Sequence, residues 1–119
     1  MLDLSNLKIL MLAPCLGKFG GIETFCLTLT EDLVHKGASV RLLRKKVVGF
    51  QDDGSIQKNE TEIRSSWTEG ESKRFTSQFV SPRDAVIKSA IRESDLVHLH
   101  NSMVEGVWYA KKFNKPCVM

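Results

Sequence analysis

Cysteine is scarce in this sequence: Cys15, Cys26 and Cys117 are the only three, and no two have the C-x-x-C spacing. An odd count without that spacing argues against a disulfide framework or a zinc site and fits a reduced, cytoplasmic setting. Long apolar runs are also missing, none approaching the roughly 20 residues that a membrane span needs. The N-terminal stretch lacks the marks of a signal peptide. Asp3 comes early, no basic stretch precedes the apolar run, and no small-residue cleavage site follows it. Charge of one sign is not in excess either. The net value of +3 permits an acidic partner but gives no sign of the clustered basic face that nucleic acid usually requires. No internal repeat or low-complexity segment occurs.

What the sequence does have is an alternation of strand and helix patterns. Residues 7–13 (LKILMLA) form a nearly unbroken apolar run bounded by Pro14, as in a strand buried on both faces of a parallel sheet. Over 22–36, Ile22, Phe25, Cys26, Leu29, Leu33 and Val34 recur at helical spacing and predict a buried face. Lys36-Gly37 supplies a stop, and 39–44 reads as a second strand, completing a βαβ unit. Ser81, Pro82 and Asp84 suit a helix start. Val86, Ile87, Ala90 and Ile91 would form that helix's buried face. A strand over 96–100, a helix over 103–113 and a strand opening at Cys117 follow. The expected fold is therefore α/β: a Rossmann-like parallel sheet flanked by helices. The polar middle, 45–78, has no clear period. Gln51-Asp52-Asp53-Gly54 suggests a hairpin tip between 47–50 and 56–63, and 69–73 reads as a loop. Trp67, Phe75 and Phe79 beside Lys73 and Arg74 are open to two readings: a basic-aromatic surface for a lipid or sugar, or aromatics capping the core.

In open α/β sheets, ligands sit beyond the carboxyl ends of the strands. Two segments there carry suitable residues. The first is the loop 14–23 (PCLGKFGGIE), in which Gly20 and Gly21 keep side chains away from the helix's first backbone N–H groups. With the backbone of Ile22, these groups are a candidate phosphate site. The alternative is a tight turn without a ligand. The second segment is 98–102 (HLHNS). His98 and His100 share a face by the period of two. His98 reads as the deeper, core residue, and His100, Asn101 and Ser102 as candidates to touch a ligand hydroxyl or phosphate. The glycine loop is not a P-loop, and it does not match G-x-G-x-x-G. Arg44-Lys45-Lys46 ends the second strand where an NAD site would place an acid, which leaves an NADP-type 2′-phosphate site open. Metal binding is not expected, because only His35 could join the histidine pair and no carboxylate is spaced to complete a set.

Together, Leu7-Lys8-Ile9-Leu10-Met11, Gly20-Gly21-Ile22-Glu23, His35-Lys36-Gly37-Ala38-Ser39-Val40, Asp95-Leu96-Val97-His98-Leu99-His100-Asn101 and Lys115-Pro116-Cys117-Val118 resemble the N-terminal domain of family-4 retaining glycosyltransferases, which have the two-domain GT-B architecture. The resemblance implies that 1–119 is the acceptor-side Rossmann-like domain of a longer transferase. The donor-binding domain and the catalytic residues would then lie beyond Met119, and this piece alone would be inactive. It implies Gly20, Gly21 and Ile22 at the donor diphosphate of a nucleotide-sugar, and His100, Asn101 and Ser102 at a sugar or lipid acceptor. No cofactor or metal is implied. Contact with the inner membrane face is a further expectation. Two alternatives remain: an NADP-binding oxidoreductase domain and a non-catalytic α/β binding module.

Overall fold

A computed structural model describes residues 4–13, 20–45, 54–81, 85–100 and 104–118, without the side chains of 20–24, 45, 55–56 and 104–105. Five strands and five helices follow in the order β1 (Lys8–Ala13), α1 (Gly20–His35), β2 (Ser39–Lys45), α2 (Ser55–Ser65), α3 (Glu69–Lys73), β3 (Phe75–Val80), α4 (Ala85–Glu93), β4 (Leu96–Leu99), α5 (Val104–Lys112) and β5 (Cys117–Val118). The sheet order is β3-β2-β1-β4-β5, with every pairing parallel. This is the expected Rossmann-like α/β fold. The chain turns outward in both directions from β1, so the carboxyl ends of β1 and β4 flank the point where the strand order reverses.

The apolar run of β1 is explained by its central place. Its side chains alternate between two cores. Ile9, Met11 and Ala13 pack with Cys26, Val34, Leu42, Trp67 and Phe75 on one face. Leu10 and Leu12 pack with Ile87, Ile91, Val97, Leu99 and Ala110 on the other. The loops are fixed by specific chemistry. Gly37 takes a left-handed φ of 99°, with its N–H on the Val34 carbonyl and the Ala38 N–H on that of Leu33, so α1 ends in a Schellman-type turn. Asp95 ties the starts of two strands: its Oδ2 accepts from the Lys8 N–H at 2.9 Å, and its own N–H donates to the Lys8 carbonyl at 2.8 Å.

The middle of the chain differs from its sequence reading. Residues 56–63 are helical within α2, not strand, and 69–73 is the short helix α3. The other expected strand, 47–50, lies outside the described residues. The turn signal marks the start of α2, where Gly54 has a φ of 79°. Thr68 and Glu71 close a capping box at the start of α3, a device that needs no apolar period. Among its described side chains α2 contributes little but Ile63 to the core, and its sequence shows no clear stripe. No described helix is long and apolar enough to cross a membrane.

Candidate functional site

The candidate site lies where α1 begins and β4 ends. Gly20, Gly21 and Ile22 are the first three residues of the 16-residue α1, so their backbone N–H groups have no partner four residues earlier within the helix. Phe25, one turn further in, was expected in the core. It is instead 57% exposed, and its ring meets His100 edge-on at 5.7 Å between centroids. That contact brings the first turns of α1 beside the carboxyl end of β4.

His98 and His100 do share a face, as the strand period requires. His98 Nδ1 lies 2.8 Å from His100 Nε2, and the rings stand nearly perpendicular. Their depths are reversed from the sequence reading: His100 is 6% exposed, whereas His98 is half-buried. The physical reason is Phe25, which packs over His100, while His98 pairs on its outer side with the short β5. Burial pushes the His100 imidazole down to about 4, with the neighbouring His98 adding to the shift. Burial also lowers His98. Both rings are therefore neutral near pH 7, one donating and the other accepting the N–H···N bond. The His100 backbone N–H is engaged as well, donating to the Leu12 carbonyl at 2.8 Å. Asn101 and Ser102 lie outside the described residues, as do residues 14–19 of the glycine loop. No group of three or more possible metal ligands occurs among the described residues.

Side-chain direction bears on two other expectations. Arg44 is 3% exposed, with its guanidinium 3.9 Å above the Phe79 ring and its Nε 3.7 Å from Glu60. It lies between Phe79 of β3 and Glu60 of α2, while the Lys45 side chain and Lys46 lie outside the described residues. Of the aromatics near Lys73 and Arg74, Trp67 and Phe75 belong to the core, and Phe79 is half-buried beneath Arg44. Trp67 and Phe75 are buried with rings 5.5 Å apart, and Arg74 Nη2 donates to the Val34 carbonyl at 2.6 Å. Sequence spacing could not reveal the contact between Phe25 and His100, because it joins two elements 75 residues apart.

Comparison with known proteins changes the reading further. No family model matches the chain, and no curated protein matches it. Among solved structures, a protein from the universal stress protein family of Burkholderia pseudomallei matches with 16% identity and a TM-score of 0.43, covering 93% of each chain. No glycosyltransferase is among these findings, and the resemblance to family-4 glycosyltransferases is corrected. The transferase function and its implied donor and acceptor roles are withdrawn with it. A likeness this distant assigns no function to the present chain. The misleading motifs have structural explanations: Gly37 ends α1, Asp95 joins β1 to β4, and Val40, Val97 and Leu99 fill the cores. Doubly wound sheets need these features whatever they bind.

Proposed function

We propose that this chain is a non-catalytic α/β binding module for a phosphate-bearing small molecule, such as a nucleotide. Its phosphate would lie at the start of α1 and a hydroxyl would reach His100. The observation that carries the reading is the contact of Phe25 with His100, which brings a glycine-initiated helix start beside a buried neutral imidazole at the sheet's carboxyl edge. The helix contributes roughly half a positive charge there, and Gly20 and Gly21 let an anion approach the backbone. His100, being neutral, supplies directional hydrogen bonding without the pull of a full charge. The half-exposed Phe25 ring offers an apolar face for a flat group. A cytoplasmic setting is part of this proposal, supported by a cysteine content too small and too irregularly spaced for a disulfide framework.

Calorimetry with ADP, and with adenosine as the phosphate-free control, tests it. ADP should bind with a dissociation constant below about 1 mM, or 4 kcal/mol, and adenosine at least tenfold more weakly. Gly21→Asp favours the helix start electrostatically yet repels an anion, so that variant should fold and lose ADP. Equal affinity for ADP and adenosine, or ADP binding unchanged in Gly21→Asp, would overturn the assignment.

A further inference from the structure

We infer that the outward face of α5 is a docking surface for an anionic lipid bilayer. Val107 and Trp108 are exposed at 39% and 59%. Lys111 and Lys112 are exposed beside them, and the half-buried Lys115 follows just past the helix end. At 100° per residue, Val107, Lys111, Trp108 and Lys112 occupy a single arc of about 140°. Gly106 and Ala110 face the sheet.

The cationic character of this arc is specific. Lys112 Nζ lies 5.0 Å from the Trp108 ring centroid. Arg92, from the neighbouring α4, lies over the Phe113 ring at 4.9 Å. Among the described residues, Lys111, Lys112 and Lys115 enter no ion pair, whereas Lys36, Lys73 and Arg41 all do. Residues 104–118 hold three lysines against the single acid Glu105.

The combination distinguishes between kinds of partner. Tryptophan is enriched at protein interfaces and at bilayer headgroups alike, but lysine is depleted at protein interfaces. Unpaired lysines surrounding an exposed tryptophan and valine therefore favour an anionic bilayer. The indole would sit at headgroup level, with the lysine stems on apolar surface and the ammonium groups among phosphates. Each lysine near such a surface is worth about fivefold in partitioning, equivalent to about 1 kcal/mol. The site proposed for a phosphate-bearing ligand plays no part in this argument.

Sedimentation of the full chain with vesicles of phosphatidylcholine, with or without phosphatidylglycerol, provides the test. Binding should require phosphatidylglycerol and weaken with added salt. Joint Lys111→Gln, Lys112→Gln and Lys115→Gln substitution should reduce it roughly a hundredfold. On binding, Trp108 emission should shift to the blue and be quenched by brominated lipid. Trp108→Phe, which leaves the buried Trp67 as background, should remove that signal. Equal binding to neutral vesicles, retention of binding by the triple variant, or an unshifted Trp108 in the bound state would overturn the inference. So would a Trp108-dependent dimer in sedimentation velocity without vesicle binding.

Discussion

Gly106 is where α5 comes closest to the sheet. A Cβ built there would lie 2.5 Å from Leu12 Cδ1 and 2.5 Å from Leu99 Cδ2, both side chains being buried in the same core. Replacing Gly106 by alanine has two opposed effects. Helix propensity favours alanine by about 1 kcal/mol, while overpacking a filled core costs about 1–3 kcal/mol. The expected result is a net loss of up to about 2 kcal/mol. Gly106→Val adds two further methyl groups without the helix benefit and should cost about 3 kcal/mol or more. Gly70 in α3 is the matched control, since a Cβ there meets nothing within 4 Å. Gly70→Ala should therefore stabilise by up to about 1 kcal/mol. Urea unfolding followed by circular dichroism measures all three variants. For a chain of this size, 1 kcal/mol corresponds to about 4 °C in Tm. If Gly106→Ala stabilised the chain as much as Gly70→Ala, the close approach would carry no energetic weight and the reasoning would be wrong.

The three histidines should separate in a proton NMR titration. His35 should titrate above 6.5, because its hydrogen bond to Glu71 raises it, while His98 and His100 titrate below 6.5, His100 last at about 4. His100→Gln should flatten the stability loss between pH 6.5 and 4: over that window the unfolded chain binds a proton that the folded one refuses. A His100 resonance titrating at 6.5 or above would refute its burial as a neutral ring. The His35–Glu71 contact, 2.9 Å from Nδ1 to Oε1, acts in the opposite sense. The raised histidine contributes stability in full below pH 6.5, and the contribution fades as pH rises through the raised value. Glu71, lowered from 4.5 chiefly by His35, contributes above 4.5 and loses its contribution as pH falls through the lowered value. The change in urea midpoint from pH 8 to pH 6 should therefore be more positive in the parent than in Glu71→Gln; equal changes would count against the contact.

The sheet was legible because its determinants are local. The unbroken apolar run of β1, the Lys36-Gly37 stop and the period of α4 each mark an element without reference to the rest of the chain. The segment 54–73 was not, because α2 is largely polar and α3 is held by the Thr68–Glu71 cap. At the site, the spacing of two correctly placed His98 and His100 on one face, but their depths depend on Phe25, which comes from a distant helix. Phe25 was assigned inward by helical spacing. Periodicity places residues on a stripe, yet it does not show where the neighbouring element stops covering that stripe. The transferase resemblance failed for a related reason: its motifs record how a doubly wound sheet is built, and that construction serves many ligands.

β1 belongs to both hydrophobic cores and pairs with strands on both sides. The two faces of the sheet therefore have no separate means of melting, since neither can lose its packing without removing a wall from the other. Amide exchange should reflect this, with Leu10, Met11 and Leu12 opening only in global unfolding and the two-residue β5 exchanging by local fraying. Mutations on either face should consequently report on one cooperative unit, so that damage beneath α4 loosens α1 without touching it.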